Sequence, residues 1–255
     1  CNKVGGIYTV IATKSLYLKS QLHKHHILVG PDVWMDTESN PDFIEDNHLY
    51  TLWKAHAASE GLRVRVGRWN VPGRPIAILV DFKQYLTRQN DILTEYWKRF
   101  GVDSISGNWD YKENVLFGYA AGHVIESFYK FNLTSADKVV AQFHEWQTGS
   151  GLLYLKDTKI PVATVFTTHA TVMGRCLAGN NLPLYDSMDV YDADQKAQQF
   201  GVVARHSIEK ISAQNADAFT TVSEITAKEC ARFLGREVDV VTPNGFENSF
   251  TPATD

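Results

Sequence analysis

The fold of this chain is decided by residues 138–171, KVVAQFHEWQTGSGLLYLKDTKIPVATVFTTHAT. Two short runs rich in β-branched residues, Lys138–Phe143 and Pro161–Thr167, enclose a segment of helical character at Gly151–Lys156. A strand, a crossover helix and a second strand in this order are typical of a parallel βαβ unit. Pro161 is compatible with this interpretation because it stands at the first position of its strand, where proline is tolerated.

The same alternation extends over the whole chain of 255 residues and predicts an α/β fold with a parallel sheet covered by helices on both faces. The further strands are expected at His26–Gly30, Leu62–Trp69, Ile76–Asp81, Ala218–Val222 and Val238–Thr242. The further helices are expected at Tyr8–Leu22, Tyr50–Glu60, Asn90–Phe100, Asn114–Tyr129, Ala204–Asn215 and Ser223–Leu234. The last helix has the clearest ends, with Ser223 as N-cap and Gly235 as C-terminal stop. The polar stretch Leu182–Gln199 lacks periodicity and is interpreted as a long excursion or a lid.

The composition argues against several classes of protein. A hydrophobic fraction of 44% is ordinary for a globular protein, and a formal net charge of -4 leaves no basic excess to neutralise nucleic acid. The cysteines Cys1, Cys176 and Cys230 have neither metal-site nor disulfide spacing, which favours free thiols in a reducing compartment and hence the cytoplasm. No apolar run is long enough to predict a membrane span. Walker, Gly-x-Gly-x-x-Gly, Gly-x-Ser-x-Gly and His-Glu-x-x-His motifs are absent, and no metal site is expected.

The segment Lys3-Val4-Gly5-Gly6-Ile7-Tyr8 predicts an anion site at the start of the first helix. Gly5 and Gly6 have no Cβ atoms to keep a phosphate away, the first N–H groups of the helix point at it, and Lys3 adds a positive charge. A tight turn without a ligand explains the same residues, because a short glycine motif is weak evidence. The chain opens inside this motif without an initiating Met, which indicates a fragment of a longer protein.

Phe143-His144-Glu145-Trp146 follows the strand Lys138–Phe143, at the end where open parallel sheets bind ligands. His144 can donate to a hydroxyl-bearing ligand, Glu145 can accept from one, and Trp146 offers a flat surface on which a sugar ring can rest. Packing of His144 and Trp146 beneath a loop is an equally good explanation of their positions.

Thr167-Thr168-His169-Ala170-Thr171 repeats this arrangement after the next strand, and Arg175 follows soon after. Because the loops after neighbouring parallel strands converge, His144 and His169 are expected to line one crevice with the glycine turn. Capping of the loop by threonine hydroxyls and an exposed Arg175 are the alternatives.

Seven blocks, in order and over nearly the whole chain, resemble those of the glycogen synthases of the animal and fungal type. The blocks are Asn2–Tyr8, Arg68-Trp69, Phe143–Trp146, Phe166–Thr171, Gly174-Arg175, Phe219–Ala227 and Thr242–Gly245. This resemblance implies one half of a GT-B fold, with residues 1–245 as the amino-terminal Rossmann-like domain and residues 246–255 as the start of a linker. The donor-binding carboxy-terminal domain would be absent, so the chain alone should be inactive.

The resemblance also implies an activity and assigns residues to it. Glucose would pass from UDP-glucose, or alternatively ADP-glucose, to the 4-hydroxyl of an α-1,4-glucan with retention and without a cofactor. The donor phosphates would lie against Lys3, Gly5 and Gly6, and Arg175 would occupy a basic position facing the cleft. His169 would lie near the transferred glucose, while His144 and Glu145 would shape the sugar site.

Partners and alternatives follow from the same resemblance. It implies docking of glycogenin, the self-glucosylating primer, and leaves a homo-oligomer open. Gln142 departs from the family pattern, because a histidine is frequent there in animal and fungal members. The alternative functions are another GT-B glucosyltransferase or phosphorylase, and a noncatalytic carbohydrate-binding domain.

Overall fold

The computed structural model describes residues 5–23, 25–33 and 40–245. Their helices are α1 (Gly5–Leu22), α2 (Thr51–Ser59), α3 (Gln89–Phe100), α4 (Trp109–Asn132), α5 (Gly149–Thr158), α6 (Val172–Gly179), α7 (Ala193–Gln199), α8 (Val203–Asn215) and α9 (Glu224–Glu229). Their strands are β1 (Ile27–Pro31), β2 (Phe43–Glu45), β3 (Arg63–Trp69), β4 (Ile76–Asp81), β5 (Val139–His144), β6 (Val162–Thr168), β7 (Ala218–Thr221) and β8 (Val240–Val241).

The described residues divide into two compact units. The first draws its residues from Cys1–Phe82 and Asn244–Asp255, and the second is Lys83–Pro243. None of the helices formed by the described residues combines the length and the apolar character needed to cross a bilayer.

The first unit contains a mixed sheet of order β1-β4-β3-β2. β1 is parallel to β4, whereas β3 is antiparallel to both β4 and β2. The pair β3–β4 departs from the parallel arrangement predicted from the sequence because residues 70–75, which connect the two strands, are too few for a crossover. Tyr8 of α1 packs edge-on against Trp69 of β3, with ring centroids 5.4 Å apart, so the helix covers the sheet.

The second unit contains a sheet of order β5-β6-β7-β8 in which all the strand pairs are parallel. Phe166, Thr167 and Thr168 are consecutive in β6 and are 0%, 2% and 0% exposed. Because consecutive strand residues point to opposite faces, both faces of β6 are covered at its carboxyl end. The parallel α/β sheet predicted from residues 138–171 is confirmed.

Close packing of α4 against α5 supports this sheet. A Cβ atom on Gly118 would collide with the Ser150 hydroxyl oxygen and lie 3.0 Å from the Gly151 nitrogen. The buried Ser150 hydroxyl donates to the Val115 carbonyl oxygen at 2.8 Å, which satisfies it inside the interface. Glycine at position 118 therefore sets the distance between the two helices.

The predicted strands are all present, each within two residues of its expected ends. The predicted helices are present too, and α4 extends further in both directions than expected. In α9, the Ser223 hydroxyl accepts from the Thr226 N–H at 3.2 Å, and Gly235 has a φ of 68°, which confirms both predicted ends. Between them, residues Cys230–Leu234 form a π-helical turn.

The segment Leu182–Gln199 is attached to the core by three buried residues, Leu184, Met188 and Ala197, and most of its other residues are exposed, so it lies on the unit and does not stand away from it as a lid. It contains a short 3-10 helix at Met188–Val190 and the whole of α7. These three residues join a buried cluster with residues of α6 and the π-helical turn: Met173, Leu177, Leu184, Met188, Ala197 and Phe233. Sequence periodicity missed this packing because the buried residues are separated by polar ones.

Candidate active site

Two histidines meet at the carboxyl edge of the parallel sheet. The register of β5 and β6 sets His144 opposite Thr167, and His169 follows two residues later. The His144 Nδ1 atom lies 3.0 Å from the His169 Nε2 atom, and the two rings are inclined at 33°. One of these nitrogens must donate and the other accept, so the contact requires at least one of the two atoms to be unprotonated.

Glu145 holds the loop on which His169 stands. Its side chain is only 3% exposed, and its Oε1 atom accepts from the N–H of His169 at 2.8 Å and from that of Ala170 at 3.2 Å. Burial raises the pKa of Glu145, while the N–H of His169, the charge of Arg175 and the N–H of Ala170 oppose the rise. One carboxylate oxygen is therefore used for backbone donors, whereas the sequence predicted Glu145 as an acceptor for a ligand.

The backbone of Glu145 is strained. Its φ of 63° and ψ of 169° lie in a region that is essentially restricted to glycine. The Glu145 N–H donates to the Thr167 carbonyl oxygen at 2.9 Å, which ties the strained residue to β6. Such strain costs about 1–3 kcal/mol and concentrates at functional sites, which supports a functional role for this edge of the sheet.

Arg175 lies one turn into α6 and is exposed. The helix begins after Thr171, whose hydroxyl accepts from the Gly174 N–H at 2.9 Å. The positive charge of Arg175 lowers the pKa of both Glu145 and Glu209 against the larger effect of their burial, so the guanidinium acts electrostatically on both carboxyls.

The glycines of the predicted anion site belong to the first turn of α1. The helix begins at Gly5, and Gly6 is exposed with open space where a Cβ atom would be. First-turn N–H groups have no acceptor within their own helix, which suits an anion. Lys3 lies outside the described residues. Gly5 and Gly6 belong to the first unit and His169 to the second, and their meeting in one crevice stays a prediction.

Comparison with known proteins identifies the family. Residues 1–252 match the family model of glycogen synthase. The chain is 37% identical over 248 residues to the glycogen [starch] synthase of Dictyostelium discoideum, and the aligned residues make up 96% of this chain and 27% of the relative. It is 36% identical over 245 residues to the liver glycogen [starch] synthase of Mus musculus, and the aligned residues make up 96% of this chain and 34% of the relative. The chain belongs to the glycogen synthase family.

A fungal member of the glycogen synthase family gives the same result. Isoform 2 of glycogen [starch] synthase from Saccharomyces cerevisiae is 33% identical over 259 residues, which covers 96% of this chain and 36% of the relative. The chain spans about a third of the length of the curated relatives it matches.

In this chain, Trp146 is a packing residue. It is 8% exposed, it stacks on Tyr111 with ring centroids 6.1 Å apart, and the Arg205 guanidinium lies 5.3 Å from the centre of its ring. Arg205 in turn pairs with Asp110 at 2.7 Å. The ring of Trp146, which the sequence predicted as a surface for a sugar ring, is therefore covered by Tyr111 and Arg205.

Threonine hydroxyls beside the histidines form a hydrogen-bonded row that the sequence did not predict. The Gln142 Nε2 atom donates to the Thr167 hydroxyl at 2.8 Å, which lies 2.8 Å from the Thr220 hydroxyl. This row crosses β5, β6 and β7 on one face. Its signal in the sequence was the paired threonines that end both Phe166-Thr167-Thr168 and Phe219-Thr220-Thr221.

Proposed function

We propose that this chain is the amino-terminal part of a retaining glucosyltransferase that lengthens an α-1,4-glucan. Glucose passes from a nucleotide-diphosphate glucose, with UDP-glucose favoured, to the 4-hydroxyl at the end of the glucan. One observation carries the proposal. In a member of the glycogen synthase family, His144 and His169 form a hydrogen-bonded pair at the carboxyl edge of a parallel sheet, where such folds bind ligands.

His169 is the residue assigned to the transferred glucose. A neutral imidazole offers one donor and one acceptor, which suits a sugar hydroxyl. The contact with His144 restrains the ring plane of His169 and couples the tautomers of the two rings, since one nitrogen donates when the other accepts. Glu145 acts through the backbone, because its carboxylate accepts from the main-chain N–H of His169.

Stabilisation of the leaving diphosphate is assigned to Arg175, Lys3 and the helix start at Gly5 and Gly6. The transition state resembles an oxocarbenium ion, and negative charge develops on the departing phosphate. Fixed N–H groups and cationic side chains stabilise that charge electrostatically, and no cofactor is invoked. Arg175 supports this assignment because it is the exposed cation nearest the loop of His169 in sequence.

The proposal extends to partners and location through the family. A carboxy-terminal domain would complete the donor site, and glycogenin would supply the primer. We place the protein in the cytoplasm, since Cys176 and Cys230 are free thiols and free thiols are typical of a reducing compartment.

The test is a chimera in which this chain replaces the matching 245 residues of the liver glycogen synthase of Mus musculus. Transfer of labelled glucose from UDP-glucose to glycogen is measured, with ADP-glucose as a competing donor. His169→Ala and Lys3→Ala should each lower kcat by about 100-fold or more, because each removes a group acting on the transition state.

His48→Ala and Lys98→Ala are the matched controls, since both side chains are exposed and lie away from the histidine pair in sequence. Both controls should keep the activity of the chimera. Full turnover in His169→Ala and Lys3→Ala would show that the site is wrongly assigned, and a chimera without any glucan product would refute the proposed function.

A further inference from the structure

Three buried carboxyl groups from three elements converge on the segment that joins β6 to α6. Glu145 follows β5, Glu209 lies in α8 and Glu229 is the last residue of α9. Their exposed fractions are 3%, 0% and 5%. Charged side chains are almost never buried to this degree without a specific partner, so each of the three needs an explanation.

The partners of Glu209 and Glu229 continue the row begun by Glu145. The Glu229 Oε2 atom accepts from the Thr171 hydroxyl at 2.7 Å, and the Glu209 Oε2 atom accepts from the Val172 N–H at 2.9 Å. With the two bonds of Glu145 to His169 and Ala170, each residue from His169 to Val172 is bound by a carboxyl oxygen.

The start of α6 uses a carboxyl group from another helix in addition to its own cap. Thr171 caps the Gly174 N–H, whereas the buried Val172 N–H, which also lacks a partner within the helix, takes the carboxyl of Glu209 from α8. The Glu209 Oε1 atom is buried without a hydrogen-bond partner among the described residues. A carboxyl group that satisfies one backbone donor and leaves its other oxygen buried is a costly way to cap a helix.

The charges around Glu209 favour its neutral form. Burial raises the pKa of Glu209 well above its usual value, the N–H of Val172 lowers it, the charges of Glu145 and Glu229 raise it further, and Arg175 lowers it. Burial raises the pKa of the Cys230 thiol, and the charge of Glu209 raises it further. A protonated carboxyl still presents an acceptor oxygen to Val172, so a glutamine amide can replace it.

We infer that Glu209 is a positioning residue for the proposed reaction. By fixing the Val172 N–H in the first turn of α6, it sets the direction of His169, three residues earlier, and of Arg175, three residues later. The inference rests on the proposed function, since it concerns the two side chains assigned to the sugar donor.

The first experiment follows the histidine side chains of this chain by nitrogen-resolved NMR, with the His169 signals assigned from His169→Ala. The paired rings should show the same tautomer populations in the unsubstituted chain and in Glu209→Gln, because the amide oxygen still accepts from Val172. Glu209→Ala should shift His169 to the averaged tautomers of a solvated histidine. Glu224→Ala, an exposed residue of α9, is the matched control and should change nothing.

A purely structural role would lower the melting temperature of Glu209→Ala and leave the His169 signals of the folded protein unchanged, and that result would overturn the inference. Where truncation to alanine prevents folding, Glu209→Asp gives the same test. Its shorter side chain keeps the acid but cannot reach Val172, so the same shift of the His169 signals is expected, and its absence counts equally against the inference.

The second experiment uses the chimera described above. Glu209→Ala should lower kcat by about tenfold or more with a smaller change in the KM for the donor, and Glu209→Gln should stay within about twofold of the unsubstituted chimera. An active chimera in which Glu209→Ala keeps its kcat overturns the positioning role. A chimera that transfers no glucose refutes the proposed function, while the histidine spectra still decide the role of Glu209.

Discussion

Replacing Gly174 with alanine should destabilise the second unit, although alanine is the better helix former. A Cβ atom at this position would lie 2.8 Å from both the Glu229 Cδ atom and the Thr171 Oγ1 atom, and closer still to the Glu229 Oε2 atom. Real Cβ atoms do not approach so closely, so the Glu229 side chain must move. Its bonds from Thr171 at 2.7 Å and from Tyr185 at 3.1 Å would then be lost.

The size of the effect follows from these two bonds. A hydrogen bond to a buried charged group contributes about 1.5–3 kcal/mol, whereas alanine gains about 1 kcal/mol over glycine in a helix. The free energy of unfolding of Gly174→Ala should therefore fall by about 2–5 kcal/mol.

Urea denaturation followed by circular dichroism measures the change, and α6 supplies its own control. Gly179 ends the same helix and has nothing within 4 Å of an added Cβ atom. Gly179→Ala should gain about 0.5–1 kcal/mol, so the two substitutions are expected to have opposite signs. Equal stability of the two variants would refute the argument that Glu229 fills the space beside Gly174.

Two further predictions concern the buried residues of the second unit. Because burial raises the pKa of Glu209, the native protein keeps a proton that the unfolded chain loses above about pH 4.5, and stability falls as pH rises from there to the native pKa. Glu209→Gln cannot lose a proton, so its stability does not fall in this way. The difference in free energy of unfolding between Glu209→Gln and wild type should therefore rise by about 1.4 kcal/mol per pH unit across that window, measured by urea titration. A difference that does not change with pH would contradict the raised pKa of Glu209. Phe166 is fully buried and stacks on Phe219 with ring centroids 6.0 Å apart. Phe166→Ala should therefore lower the free energy of unfolding by about 3–5 kcal/mol, measured by thermal unfolding. An effect no larger than that of Phe131→Ala, at an exposed position, would contradict the place of Phe166 in the core.

Much of the fold is predictable from the sequence because its strands are runs of β-branched residues bounded by turns. β2 was missed because Phe43–Glu45 has only three residues, too few for an alternating pattern. α6 was missed because Gly174 and Gly179 lower its helix propensity, and only the packing around Glu229 explains the first of them. The antiparallel pairing of β3 with β4 was open to prediction from the short connection between them.

The candidate site is less predictable, because its geometry depends on contacts between distant residues. The pairing of His144 with His169 follows from the parallel register of their strands, which the sequence does indicate. The burial of Glu209 does not follow, since a charged helix residue is ordinarily exposed. Its one signal is that Glu209 stands next to Ile208 and three residues before Ser212, on the buried stripe of α8.

The row of hydroxyls that starts at Gln142 leaves the hydrogen of Thr167 uncommitted. The Gln142 amide nitrogen only donates and takes one lone pair of the Thr167 hydroxyl, so that hydroxyl can either donate to Thr220 or accept from it. When Thr167 donates, the Thr220 hydroxyl can turn to the Phe166 carbonyl oxygen at 3.5 Å. An acidic residue at position 142 would offer only acceptors, so Thr167 would have to donate to it and could then only accept from Thr220.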